Sequence, residues 1–593
     1  MSSRASGKLG IRQKLALAKL RQSQSELGKH LRGLFSSGRL RAGEVATTAS
    51  AAASHSSSSA LADLRRMAKA KPTKKRVRGV RGKARPDTRN AARGIRRSVG
   101  QWSPLGTPYI AEVPMWDRKQ NVKTTGKMSF LPIHEVLEAI IPEKEEGEWC
   151  SFDATQQGFR MNMHDWAGRV GVPLIQLAMF LAIALWGDSA VFTHRDSLFI
   201  LLFTVLSGQN RRRYWICAFN KRRLCKCGCF GRCTFDGIFG MLAWMFRALL
   251  SRRWPAVDHL GQPFPAGSFR AKMAGKELRV GGACIAKCGD WSWHKSVLGM
   301  RGWRGDRGTK RMCWLCQAAF NDDHDCYDFS GTASWRRELT TQSEFWDSAM
   351  ASNQYISAIW QIPGFQLSFV RPDWMHVTCL GILQYLAGNV LWELFKALGG
   401  TFRNSLDACS KLENMIAICS KHLGLSPPFT NLTVTMFRVS ASDKPKFKAK
   451  AAENRHFLPV LRDMLTRCFT IEAAHRRLRF QCVDALHKCY VELDSWCPEQ
   501  SPHRLAKHAR QHLLLCVELR TESTDPLLWN LYPKHHLFAH VAEGAITNPR
   551  LEWNYADESE IGAAVKQAQV TNVQHLPVHL IQRYRDNFEC EPI

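Results

Sequence analysis

The hydrophobic and polar positions along this chain divide it into stretches of different texture. Residues 1–100 hold no sustained apolar period. Ala46–Ala62 is an alanine and serine tract, and Lys71–Arg97 is a basic run with almost no apolar content, so the expectation is a disordered tail. The globular body begins near Trp102, where residues 101–170 read as a mainly helical lead-in with one short amphipathic helix in 130–146 (FLPIHEVLEAIIPEKEE). The texture then changes to closely spaced apolar runs. Leu177–Phe192, Ser197–Leu206 and Arg213–Phe219 are separated by Thr193–Asp196 and by Gly208-Gln209-Asn210. This pattern predicts two hairpins, hence three neighbouring antiparallel strands, although Leu177–Leu185 also suits a helix. Leu278–Ile285 predicts a later strand that leads directly to Gly289-Asp290. From about 330 to 520 the spacing is helical, as in Leu380, Leu383, Leu386, Val390, Leu391, Leu394 and Leu398. Residues 476–497 and 502–519 follow suit, the latter opening with Ser501-Pro502 at N-cap and N1. The expected class is α/β.

Val172–Trp186 is the most apolar run, yet at about 15 residues it falls short of the roughly 20 that cross a bilayer. It reads as buried core, and no membrane partner is expected. Charge sharpens the division of the chain. The 593 residues carry 83 Lys+Arg against 51 Asp+Glu, a net charge of +32, and 25 basic but only 4 acidic residues fall within 1–100. A polycation of this kind seeks phosphate, on nucleic acid or on an anionic membrane surface. Lys74, Lys75, Arg76 and Arg78 are the core of the run, which suits nuclear import or a sequence-blind grip on DNA. Arg211, Arg212 and Arg213 before Tyr214-Trp215, and Lys444-Pro-Lys-Phe-Lys, mix basic and aromatic residues as backbone contact and base stacking require.

Met1 to Leu20 is charged throughout and lacks the apolar stretch of a secretory signal, so the 20 cysteines are expected to be reduced. The Arg- and Ser-rich, acid-poor first 40 residues also match an organelle transit peptide. In a reducing compartment, clustered Cys and His imply metal. Cys313-Trp-Leu-Cys316 has the spacing at which two thiolates meet one zinc. His535 and His540 are the expected second half of that site, with His536 an alternative to His535. Cys225, Cys227, Cys229 and Cys233 form a second cluster, tighter than a usual zinc finger, and Cys284 and Cys288 lie close to Asp290.

Acids at element ends suggest a different metal chemistry. Asp188 ends an apolar run, Asp290 follows a later strand, and Asp557, Glu558 and Glu560 enter a helix in Trp553–Gly562. Three such carboxylates could hold two divalent cations about 4 Å apart, as phosphoryl transfer requires. Glu560 rivals Glu558, and Asp373, paired with His376 in Arg371-Pro-Asp-Trp-Met-His376, rivals Asp290. Asp557 suits a helix cap, whereas Gly562, one turn beyond Glu558, would leave space over that carboxylate.

The order Asp188, Asp290, CxxC, HxxxxH, Glu558 resembles the DDE transposases of the CACTA/Chapaev type and their relative, the recombination-activating V(D)J recombinase. Gly289-Asp290-Trp, Leu298-Gly-Met, Arg371–His376 with Leu380-Gly381, Lys534–Val541 and Asp557–Gly562 carry the resemblance, which spans roughly 170–565. It implies an RNase H-like mixed sheet with the first Asp on its first strand, begun by 171–300 and completed by 521–593. A zinc-binding, mainly helical insertion would occupy 301–520. It further implies a homo-oligomeric nuclear enzyme that cuts and joins DNA with Mg²⁺ or Mn²⁺ on Asp188, Asp290 and Glu558, and a structural Zn²⁺ on Cys313, Cys316, His535 and His540. The family's end-binding module is not recognisable in 1–170, so the alternative is a catalytically dead, zinc-stabilised DNA-binding protein.

Overall fold

The computed structural model describes residues 103–300, 312–320, 325–351, 355–467 and 474–588. The tail bearing Lys74, Lys75, Arg76 and Arg78 lies outside them. The apolar runs at 177–219 become the core of a four-stranded sheet: β3 (Phe180–Thr193), β4 (Asp196–Val205) and β5 (Tyr214–Asn220), joined by β6 (Gly281–Cys288). They follow β1 (Tyr109–Asp117) and β2 (Val122–Phe130), which form a separate two-stranded sheet. The strand order is β5-β4-β3-β6; β4 is antiparallel to both β3 and β5, while β6 runs parallel to β3. Near-continuous apolar sequence is what strands covered on both faces require, and β4, β5 and β6 are buried almost end to end. The ambiguity at Leu177 resolves into both forms, since Leu174–Met179 is a 3₁₀ turn and the strand starts at Phe180. The fold is thus mixed α/β around a small mixed sheet.

The helices of eight residues or more are α1 (Ile133–Ile140), α2 (Gln157–Val170), α3 (Arg232–Ser251), α4 (Trp291–Leu298), α5 (Gln342–Ala351), α6 (Leu383–Ala397) and α7 (Leu406–His422). They continue with α8 (Ala451–Arg467), α9 (Ala474–Asp494), α10 (Ser501–Glu522), α11 (Pro533–Glu543), α12 (Tyr555–Gln569) and α13 (Leu576–Asp586). Helix α3 packs on β6, while α12 lies against β3 and α13 against β5. Two apolar helical stretches, Arg232–Ser251 and Met375–Ala397, have the length and hydropathy of membrane spans. The rest of the protein buries 67% and 83% of them, which accounts for their composition.

The lead-in differs from the expected mainly helical segment, because β1 and β2 form an antiparallel hairpin from Tyr109↔Phe130 to Asp117↔Val122. Strand β1 does alternate, with Tyr109, Ala111, Val113 and Met115 inward. Its turn carries no glycine, however; Asn121 takes the positive φ of 55° instead, so the usual hairpin signature is missing.

Between α5 and α6, Met375–Ile382 forms a π-helical segment that bends at Leu380-Gly381 and runs into α6. Such a segment frees carbonyls from the regular ladder. Those of His376 and Leu380 accept hydrogen bonds from Lys534 Nζ at 2.7 and 2.8 Å. The close approach depends on Gly381, where a Cβ would lie 2.7 Å from the Lys534 side chain.

Candidate functional site

A bulge sets the position of the first two acids. Strands β3 and β6 pair Phe180 with Gly281 at one end, but Trp186 with Cys288 at the other, because the register shifts between Ile183 and Ala184. Continuing that register by two residues on each strand places Asp188 beside Asp290, on the same face of the sheet. Without the shift, Asp188 would oppose Gly289. The glycine before each acid faces the other way, and both meet Trp293 of α4. A Cβ at Gly187 would overlap the indole, and one at Gly289 would lie 2.7 Å from it. Asp290 caps α4 by accepting the Trp293 backbone N–H at 2.5 Å.

The third acid comes from the helix covering that face. Strand alternation puts Trp186 on the same side as Asp188, where Arg213 stacks on its ring at 4.5 Å and pairs with Asp557 of α12 at 3.0 Å. Glu558, the next residue, lies 4.0 Å from His376 and adds its charge to the surroundings of Asp188. The pKa of Asp188 is pushed up to about 6, first by burial and then by the Asp290 charge; the Ser189 N–H and His376 oppose this, and Glu558 adds to it. Burial likewise raises that of Glu558, which nevertheless keeps 43% of its side chain exposed. Asp188 thus feels the charges of two chain-distant carboxylates, although Asp188, Asp290 and Glu558 are not among the groups of the described residues whose ligand atoms all lie within 4.8 Å of one another. Gly562 leaves open space on its turn of α12, with no atom within 4 Å of the place a methyl group would take.

His376 supplies the cationic side of the cluster. Asp373, its side chain fully buried, accepts from His376 Nδ1 and its backbone N–H at 2.8 Å each, and from the Asn554 N–H at 3.0 Å. The His376 Nε2 atom is then directed to Glu558, 4.0 Å away. Burial disfavours the imidazolium, but the Asp373 hydrogen bond and charge, with Asp188 and Asp290, raise the His376 pKa to about 9. Asp373 therefore orients a histidine and accepts three hydrogen bonds. Lys534 lies behind this group, its pKa lowered to about 8 chiefly by burial.

Two expected roles change. Arg213, read from the sequence as a DNA contact, is buried and committed to Asp557, and Asp557 is its ion-pair partner rather than a helix cap. Arg211 donates to the backbone carbonyls of Val205 and Ser207, and Arg212 stacks on Phe588 at 4.3 Å. The arginine triplet is thus a brace between sheet and C-terminal helices. Glu560 accepts from Trp215 Nε1 at 2.8 Å, on a different side of α12 from Glu558.

The thiolates of Cys313 and Cys316 meet His536 and His540, all four ligand atoms lying within 4.8 Å of one another. The Cys316 Sγ is 3.3 Å from both imidazole Nε2 atoms, which are 3.1 Å apart. These separations approach the edges of a tetrahedral site, roughly 3.6 Å for S···N and 3.3 Å for N···N. The His536 Nδ1 atom lies 3.2 Å from the Cys326 carbonyl, which turns Nε2 inward. The expected ligand His535 is replaced by His536: residues four apart share a helix face, whereas five do not. Cys225, Cys227, Cys229 and Cys233 also converge, with Sγ···Sγ distances of 3.4 Å (225–227) and 3.7 Å (227–233). Both clusters could hold a structural metal such as zinc. Cys284 and Cys288 are buried within β6 and join neither.

The chain matches no known protein family and no curated protein.

Proposed function

We propose that this protein is a metal-dependent DNA strand-transfer enzyme of the DDE transposase type, working in the nucleus as a homo-oligomer. The observation that carries the proposal is the electrostatic coupling of Asp188 on β3 to Asp290 after β6 and Glu558 on α12, beside His376, whose Nε2 lies 4.0 Å from Glu558. The RNase H-like reading draws support from the position of the first acid on the first strand of the sheet, and of the second acid ahead of the Cys313-x-x-Cys316 cluster. Asp188, Asp290 and Glu558 would hold Mg²⁺ or Mn²⁺, which would polarise phosphoryl oxygens and supply a water nucleophile at neutral pH. The imidazolium of His376, fixed through Nδ1 by Asp373, presents Nε2 beside Glu558 and can donate to a phosphate oxygen entering the site.

For the DNA grip, an open groove of about 780 Å³ takes the place of the arginine triplet, of which only Arg213 is buried. Arg118, Lys119, Lys127, Arg222, Arg223 and His579 line it. The reaction class is tested with supercoiled plasmid and the full-length protein in Mg²⁺ or Mn²⁺. Nicking that disappears in Asp188→Asn supports the enzyme; retained DNA binding without any nicking by the unmodified protein favours the catalytically dead alternative.

A further inference from the structure

We propose that Cys482, His512 and Cys516 bind a further zinc-type divalent ion, separate from the Cys313 cluster. No short motif marks this site, because its ligands come from two helices. Cys482 lies midway along α9, and His512 and Cys516 are one turn apart on α10. Their ligand atoms lie within 4.8 Å of one another. The two sulfurs are 3.5 Å apart, and Cys516 Sγ is 3.6 Å from His512 Nε2. Tetrahedral zinc with two thiolates and imidazole sets these edges at about 3.8 and 3.6 Å, whereas a disulfide requires about 2.05 Å. The His512 Nδ1 atom lies 2.9 Å from the Cys482 carbonyl oxygen, a partner that leaves Nε2 as the ligand atom.

His535 lies beside the set, lining a small cavity together with His512 and Cys516. Its Nδ1 accepts the Tyr532 backbone N–H at 2.9 Å, which leaves the ring proton on Nε2 and makes His535 a donor rather than a ligand. All four side chains are buried. A soft thiolate pair with an imidazole selects zinc over magnesium or calcium.

The ion would fix α9 to α10, against which α11 packs. Helix α11 is held on its other side by His536 and His540, and Lys534, the residue before them, holds the carbonyls of His376 and Leu380.

The test is the metal content of full-length protein loaded with Zn²⁺, combined with thiol labelling of the unmodified protein. Cys516→Ser and His512→Ala are each expected to lose one zinc equivalent against a chelator that leaves the other sites filled, and His512→Cys to regain it. Cys313→Ser should lose a different equivalent, so that Cys313→Ser with Cys516→Ser loses two. In the unmodified protein, Cys482 and Cys516 should resist alkylation until zinc is chelated, with no reductant needed. Unchanged zinc in both single variants would overturn the proposal. So would thiols that stay protected after complete zinc removal, or that react only after reduction.

Discussion

Among single residues, Arg213 decides whether α12 stays registered over the sheet. Its side chain and that of Asp557 keep only 5% and 4% of their surface exposed. Breaking such a buried pair costs about 3–5 kcal/mol, because the remaining charge has no partner. The pKa of Asp557 is already raised to about 6 by burial despite Arg213. Arg213→Met is therefore expected to lower the unfolding free energy by about 3 kcal/mol, and Arg213→Met with Asp557→Asn to recover much of it in denaturant titrations. A loss below about 1 kcal/mol for the single change would show that the guanidinium remains solvated. His134 gives a pH signature. Burial, with Arg270 nearby, pushes its pKa down to about 3. Between that value and its ordinary 6.5 the unfolded chain binds a proton that the folded chain does not. Its contribution is thus complete above about 6.5 and is lost as pH falls toward 3, at up to about 1.4 kcal/mol per pH unit. His134→Phe should make the acid limb of stability shallower by about one proton, as measured by unfolding at several pH values; an identical slope would contradict this origin.

At the scale of elements, the two Gly-Asp steps on neighbouring strands are the feature most specific to the site. The glycines admit the Trp293 indole, and the acids occupy the opposite face. A methyl at either glycine meets a stiff buried ring. Gly187→Ala is expected to destabilise the protein by about 1–3 kcal/mol, the usual penalty of overpacking, and to reduce nicking more than zinc content. Unchanged stability and activity would show that α4 shifts freely. Elements were legible in the sequence where one physical signal dominated. The runs of β3, β4 and β5 are apolar because both faces are covered, and α9 and α10 keep a helical period. The β1–β2 hairpin was hidden by a glycine-free turn. His535 looked like a ligand of the CxxC site because a sequence shows spacing but not helix phase. Arg211, Arg212 and Arg213 looked like a surface patch because charge alone does not reveal an ion partner 344 residues away. The Asp373–His376 pair was visible, but its orientation toward Glu558 depends on the fold around Asn554.

The whole molecule places its chemistry at distances that no short motif spans. Carboxylates at 188, 290 and 558 act electrostatically around His376, whose carbonyl is held by Lys534 of α11, the helix that also carries His536 and His540 of the Cys313 cluster. The basic groove beside the β1–β2 hairpin lies where exposed Lys119 and Lys127 can reach phosphate. Lys119→Glu with Lys127→Glu should weaken DNA binding at low salt and flatten its salt dependence by about two counterions' worth, since each neutralised phosphate adds about 0.9 to the slope. An unaltered slope, read from binding isotherms across salt concentrations, would move the grip elsewhere. The central claim is that three carboxylates form one metal-dependent DNA-cutting site, and its most direct measurement is plasmid nicking in Mg²⁺ or Mn²⁺ by a matched set of variants. Asp188→Asn, Asp290→Asn and Glu558→Gln are each expected to abolish nicking while zinc content and DNA binding persist, and Glu560→Gln to remain active. Full nicking by Glu558→Gln, or activity that survives loss of all three acids, would contradict it.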